Sequence, residues 1–439
     1  MNQFGEQPKE VQEFYLACRG ALTGSSPEAA LIGICRRYGR KKLGGPMLGD
    51  LSSTGVTVWV HLAEPGGVEV RIRSGKDGSL RFYKVESEKR LMFVRCGKLE
   101  PNADYSYEVF NSDQQALGGG RFRTPPMELS NVPFRLAFGA DFHKVGVYRP
   151  ELMRLVRERA CRAMLLIGDS AVDGRKNNLG LIRSDYLLRD LSPPWQELVA
   201  NVPVSAIWDD HDYWGNDCSG NRTEDGKVIE VDALRGEWQA FWNNPERDLE
   251  REGIYFQTRI GPVHYFALDT RSCRVSGSRG ARNSFLGEEQ MAWLKRHLEE
   301  SDARCILISG GTMWSDYISG GKDSWGTWDR EGREEVFRVI DGKKDALVLL
   351  LSGDRHGARG FAIPRAHGRK IYELEVGALG GVPGPEAFAR DQSDQIFGFP
   401  GKTWAFGELE ITQVGERPKA VFRLIGVDGK TMESVQLDV

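Results

Sequence analysis

The stretch FRLAFGADFHKVG, residues 134–146, sets the fold class. Its apolar run from Phe134 to Ala140 is too short for a buried helix and reads as a strand covered on both faces. An acid, Asp141, and an imidazole, His143, follow at once. RPELMRLVRERAC (149–161) then has apolar residues at helical spacing, and AMLLIGDS (163–170) is a second apolar run. Strand, helix, strand is the grammar of a parallel sheet with helices on its faces.

The same grammar continues towards the C-terminus. VPVSAIWDD, VHYFALDT, CILISGG, ALVLLLSGD and KIYELEVGAL read as strands, and GEEQMAWLKRHLEE (287–300) as a helix between two of them. GELEIT, AVFRLIGV and ESVQLDV read as edge strands closing a layered α/β domain over 130–439. Upstream the texture differs. GVTVWVHL (55–62), VEVRIRS, RFYKVES, RLMFVRCG, YSYEVF and GRFRTPP are short, closely spaced strands with turn signals between them. They predict an all-β sandwich of immunoglobulin or fibronectin III type over 46–126. Within LEPNADYSYEVF (99–110), Tyr105 is the candidate corner tyrosine, its hydroxyl bonding back to the backbone. TPPMELSNVP (124–133) reads as a linker. Residues 1–45 read as an N-terminal extension, with one short helix in SSPEAALIGICRRYG started by Ser26 and Glu28. CRRYGRKK (35–42) reads as a basic surface linker.

Composition narrows the function. The 439 residues suit two or three domains, and a net charge of −3 gives no basic field or platform for nucleic acid. Seven cysteines form no CxxC pair, which argues against zinc fingers and small disulfide scaffolds, and packed reduced thiols are expected. No run of about 18 apolar residues exists to span a membrane. The first fifteen residues are polar and acidic rather than a leader, which points to the cytoplasm.

The chemistry gathers where strands end. Besides Asp141 and His143 there are Gly168-Asp169 with Asp173, then Asp209-Asp210-His211-Asp212, then Gly353-Asp354-Arg355-His356. In α/β sheets the loops beyond the carboxyl ends of strands form the ligand crevice. Three of the seven histidines fall in these four places. So many carboxylates would repel one another in a closed cleft, and bound cations are the simplest compensation. Any one motif alone is an ordinary loop or cap; the four together, in this order, are a site.

This ordered set, D-x-H, G-D-x-x-D, WDDHD and SGDRH, resembles the calcineurin-like metallophosphoesterases. The last two variants resemble the PhoD-like branch, the alkaline phosphatase D family, as do FALDTRS (266–272), LGEEQMAWL (286–294) and ISGGTMWSD (308–316). The resemblance implies a four-layer α/β/β/α catalytic domain behind the sandwich. It also implies two divalent or trivalent ions (iron, manganese, zinc or calcium) and hydrolysis of a small phosphate monoester or diester by a metal-bridging hydroxide. Asp141, His143, Asp169 and His356 would hold one ion, Asp169 would bridge, and Asp210 and Asp354 would hold the second. His211 would be the general acid, with Asp173 and Asp209 orienting an imidazole or a ligand. Asn216, Tyr213, Trp214, Arg355 and Arg359 are candidate substrate contacts; each could equally pack or solvate its loop. SGGKDSWGTWDREG (319–332) reads as a lid or substrate wall. Two departures stand out. The D-x-H form is kept where the branch often has a nearby cysteine, and CILISGGTMWSD lacks a histidine for the second ion, so Thr312, Ser315, Asp316 or water would substitute. His264, mid-strand, reads as structural. The alternative is a non-catalytic binding or scaffold protein on a decayed form of the fold.

Overall fold

The computed structural model describes residues 7–146, 150–173, 178–221, 228–245, 251–274, 276–318 and 323–438. Two helices come first, α1 (Lys9–Leu22) and α2 (Pro27–Arg37). They pack against the body of the chain. Phe14, Tyr15, Cys18, Leu31, Ile34 and Cys35 form a buried cluster with Leu187, Leu188 and Leu191 further along the chain. Ser26 precedes α2 as expected, but its side chain makes no capping bond. Glu28 instead turns its carboxylate to Arg90, 2.6 Å away on the sandwich. The basic segment 35–42 is no linker: Arg36 and Arg37 end α2, and Lys42 opens the first strand with its ammonium largely buried, which lowers its pKa to about 8.

The sandwich has seven strands: β1 (Lys42–Ser52), β2 (Gly55–Leu62), β3 (Val68–Ser74), β4 (Leu80–Val85), β5 (Leu91–Cys96), β6 (Asp104–Asn111) and β7 (Ala116–Arg123). They form sheets ordered β1-β2-β5 and β4-β3-β6-β7. Alternation sends Tyr105, Tyr107 and Val109 of β6 inward, as a half-buried strand requires. The Tyr105 hydroxyl accepts from the Glu100 amide at 2.8 Å. β1 was illegible as a strand because LGGPMLGD is rich in glycine. One of those glycines is needed for close approach: a Cβ on Gly49 would lie 2.1 Å from the Asn243 carbonyl.

The α/β half contains, in order, β8 (Phe134–Gly139), α3 (His143–Gly146), α4 (Pro150–Glu158), β9 (Met164–Ile167), α5 (Leu179–Asp190), α6 (Pro193–Val199), β10 (Val204–Ile207), α7 (Asp210–Tyr213) and α8 (Val231–Phe241). Then come β11 (Phe256–Ile260), β12 (Val263–Ala267), α9 (Gly287–Glu300), β13 (Cys305–Ser309), α10 (Trp325–Asp341) and β14 (Leu347–Leu351). β15 (Ala358–Pro364), β16 (Lys370–Val376), β17 (Gln395–Gly398), β18 (Ala405–Val414), β19 (Arg417–Gly426) and β20 (Thr431–Asp438) complete it. Two sheets result, β10-β9-β8-β18-β19-β20 and β11-β12-β13-β14-β16-β15-β17. The C-terminal strands do more than edge the domain, since β18 pairs directly with β8 in the middle of its sheet.

Side-chain parity shows the layers. Cys305, Leu307, Leu347, Leu349 and Leu351 face the core shared with the other sheet. Ile306, Ile308, Val348 and Leu350 face a second core closed by Trp293, Leu294, Val336 and Phe337 of α9 and α10. Both faces of β13 and β14 are therefore buried, which is why they read as unbroken apolar runs. The layers are α/β/β/α. The glycine-rich wall expected at 319–332 resolves differently. Residues 319–322 lie outside the described residues, and Trp325 and Trp328 of α10 are buried in the second core rather than lining a lid. All seven cysteines are free. The sandwich is fastened to this half by Asn243, whose amide donates to the Met47 and Thr57 carbonyls at 2.9 and 2.8 Å. The indole of Trp59 also donates to the Ala240 carbonyl at 2.9 Å.

Candidate metal centre

Four strands deliver the site. β8, β9 and β10 belong to one sheet and β14 to the other, so their carboxyl ends meet at the seam between the sheets. The loops turn sharply there. Asp141, His143, Asp169, Asp354 and His356 all have positive φ, from +44° to +75°. Aspartate and histidine tolerate this conformation better than bulky residues do. Held strain of this kind concentrates at functional sites. Gly168 precedes Asp169 at φ +88°, and a Cβ there would lie 2.6 Å from that of Asp209.

One group brings ligand-type atoms of Asp141, His143, Asp169 and His356 within 4.8 Å of one another. A second joins Asp169, Asp210 and His211, and a third Asp209, Asp210 and Asp354, by the same measure. Asp169 and Asp210 link the three. The donors fit a cation. Both carboxylate oxygens of Asp141 and one of Asp354 are buried without a hydrogen-bond partner. Such groups are costly unless something positive meets them. Burial raises the pKa of Asp141 and raises that of Asp169 well above the ordinary carboxylate value, the latter helped by the Asp210 and Asp209 charges. His143 is pushed down to about 3, first by burial and then by its neighbours His211 and His356. It is a neutral imidazole, as a ligand must be. His356 hands its Nδ1 proton to the Val382 carbonyl at 2.5 Å, which turns Nε2 to the site.

His211 lies in the first turn of α7 and is partly exposed. Its Nδ1 donates to Asp173 at 3.2 Å, which leaves Nε2 to the cleft. Burial pulls its pKa down, but the Asp173 hydrogen bond and the Asp210 charge outweigh that and raise it. Asp210 accepts from the amides of His211 and Asp217 at 2.9 and 2.6 Å. Asp212 accepts from Ser170 and Asp209 amides at 2.8 and 3.2 Å and so ties the Asp169 loop to α7.

The structure adds a residue that the sequence did not mark out. Arg271, beyond β12, is buried and grips Asp209 with both arms, at 2.5 and 2.7 Å. The same guanidinium stands 3.3 Å from Asp354 and 3.9 Å from Asp210. Asp209 thus pairs with an arginine that also faces Asp354 and Asp210. The signal was present in FALDTRS, but the 62-residue separation hid the pairing. Arg274 is buried behind it, stacked 4.5 Å over Phe285.

The expected substrate contacts divide. Tyr213 is fully buried, its hydroxyl donating to the Gly220 carbonyl at 2.6 Å, and Trp214 is also buried, so both pack the loop. Asn216 is exposed on a turn beside Asp217. Arg359 points inward to Glu375 at 3.1 Å. Arg355, unlike Arg359, stays at the site, partly exposed, 3.7 Å from both Asp354 and Asp323. The Thr312 hydroxyl donates to the Asp323 carbonyl at 2.9 Å, and Asp316 meets Arg333 at 3.3 Å. His264 is bonded to Ser301 and Gln257 at 2.7 Å each, within its sheet.

Acids and imidazoles from both sheets thus converge where the strand ends face one another. Residues 170–382 match the family model PhoD-like phosphatase. Residues 40–129 match a domain of unknown function, DUF7800. The fold is similar to that of PhoD, at 18% identity over 90% of this chain and 88% of that one, with a TM-score of 0.69. It is also similar to purple acid phosphatase PPD1 from yellow lupin (Lupinus luteus) seeds, at 14% identity over 90% of this chain and 74% of that one, with a TM-score of 0.64. No curated protein matches the sequence. No described helix is long and apolar enough to cross a membrane.

Proposed function

We propose that the chain hydrolyses small phosphate esters with the help of two metal ions. The supporting observation is the Asp141, His143, Asp169 and His356 group, in which both buried carboxylate oxygens of Asp141 lack a hydrogen-bond partner. These four residues would hold one ion, and Asp169, Asp210 and Asp354 the second. Asp169 serves both. Bound there, the metals would lower the pKa of a water and draw charge from the phosphoryl oxygens.

The chain's own groups do the rest. Asp173 holds the His211 ring so that Nε2 faces the cleft, and its charge keeps that ring protonated to higher pH. His211 then donates a proton to the leaving oxygen, a role worth about 10²–10⁴-fold in rate. Arg355 offers a guanidinium to the phosphate. Arg271 offsets one of the three acids around the second ion. Oxygen-rich donors there suit calcium, magnesium or manganese better than zinc. The connected ligand set and the oriented His211 count against a decayed, purely scaffolding form.

The test is metal analysis together with hydrolysis of a chromogenic monoester and a bis-ester, with His211→Ala alongside. The expected result is metal-dependent turnover of at least one ester and a loss of about 10²–10⁴-fold in the variant. A folded, metal-loaded protein that turns over neither ester would overturn the proposal.

A further inference from the structure

A second concentration of cations lies at the opposite end of β9 from Asp169. A cleft of about 680 Å³ opens between β6 and β7 of the sandwich and the C-terminal ends of α4 and α6. Arg121, Arg123, Arg157 and Arg162 line it, against only Asp104 and Glu158. The acids do not balance the bases. Glu158 is taken by Arg154 at 2.7 Å, and Arg157 is turned to Glu197. Asp104 lies 3.8 Å from Arg123, whose Nη2 also donates to the Asn102 carbonyl and side chain at 3.3 and 3.1 Å, and it is the one acid left for Arg121 and Arg162. Among the described residues, the side chains of Arg121 and Arg162 make no hydrogen bond or ion pair. The Nε atoms of Arg123 and Arg162 are closed off from solvent without an acceptor. Burial, and then the Arg123 charge, lower the pKa of Arg162.

A half-buried, uncompensated guanidinium beside another is unfavourable unless an anion joins it. We propose that this cleft is a binding site for a phosphate dianion, either inorganic phosphate or the terminal group of a phosphate monoester. Guanidinium forks match phosphate oxygens in pairs. The volume lies within the range of small-ligand pockets. The net charge of −3 disfavours a long polyanion. Because one wall is sandwich and the other is catalytic domain, an occupant ties the two together and stabilises their junction. The site stands apart from the metal-binding side chains and does not depend on the catalytic reading.

The experiment uses the metal-loaded full chain and the double variant Arg121→Gln, Arg162→Gln, titrated with inorganic phosphate. Calorimetry of the parent is expected to show one phosphate site more than the variant. Saturating phosphate is expected to raise the melting temperature of the parent by about 2–4 °C beyond any rise in the variant. Inhibition of ester hydrolysis by phosphate is expected to be the same in both, which separates this cleft from the metal centre. Without phosphate, the variant is expected to melt at or above the parent, because like-charge repulsion is relieved. Equal phosphate stoichiometry in parent and variant overturns the proposal. So does a variant that melts well below the parent without phosphate, because the arginines are then structural.

Discussion

Arg271 decides the electrostatics of the second acidic group. It is about 1% exposed, as is Asp209, so the pair is held without water. Breaking such a pair from one side strands a charge in a low-dielectric site, at a cost of about 3–5 kcal/mol. Arg271→Ala should therefore lower the unfolding free energy by about that amount, read from denaturant midpoints at constant slope. A loss under about 1 kcal/mol would mean that Asp209 finds another partner. His211 makes the second residue-scale case. A general acid must be protonated, so activity falls as pH rises through its pKa. Asp173 raises that pKa. Asp173→Asn should move the alkaline limb of the kcat/KM profile to lower pH and leave metal content unchanged. An unmoved limb would remove Asp173 from the mechanism.

At the scale of elements, α5 connects the histidine-bearing loops. Its buried Asp185 accepts from Lys144, beside His143, at 2.8 Å and from the Asp173 amide at 3.2 Å. One carboxylate oxygen thus anchors the two loops that carry His143 and orient His211. Asp185→Asn should reduce kcat by about 10-fold or more with little change in KM, since it disturbs orientation rather than binding. If KM rose instead while kcat held, α5 would be shaping the substrate pocket. α1 and α2 pack on α5, and a Cβ on Gly180 would lie 2.3 Å from the Leu22 carbonyl. None of this was visible in the chain, because α1 buries only Phe14, Tyr15 and Cys18 within a polar sequence. The strand ends were legible for the opposite reason. An apolar run that stops at Asp or His carries its position and its chemistry in adjacent letters. Arg271, the Arg359–Glu375 pair and the inward turn of Tyr213 depend on partners brought in by folding, which local sequence does not record. The segment 323–332 misled because glycine and tryptophan suggested a loop, whereas the tryptophans anchor a helix.

At the scale of the whole molecule, the sandwich, the N-terminal helices and the α/β half meet around His61 of β2. Its ring stands edge-on to Trp59 and to Phe241 of α8, at 6.2 and 5.7 Å between centroids. Burial first, then the charges of Arg90 and Arg189, push its pKa down to about 3. His264 is also pushed to about 3, chiefly by burial. Both are therefore neutral in the folded protein, while the unfolded chain protonates them near pH 6.5. Below that pH the unfolded state binds protons that the native state refuses. Each residue then costs about 1.4 kcal/mol of stability per pH unit, from about 6.5 down towards 3. The junction should thus loosen in acid although no ligand has left. Melting the metal-loaded parent and His61→Gln at pH 7 and pH 5 tests this. Other titrating groups are common to both proteins, so the difference between them isolates His61. The parent should lose about 2 kcal/mol more than the variant on going from pH 7 to pH 5. Parallel losses in the two would show that His61 is protonated in the native state and that the three-way junction admits water.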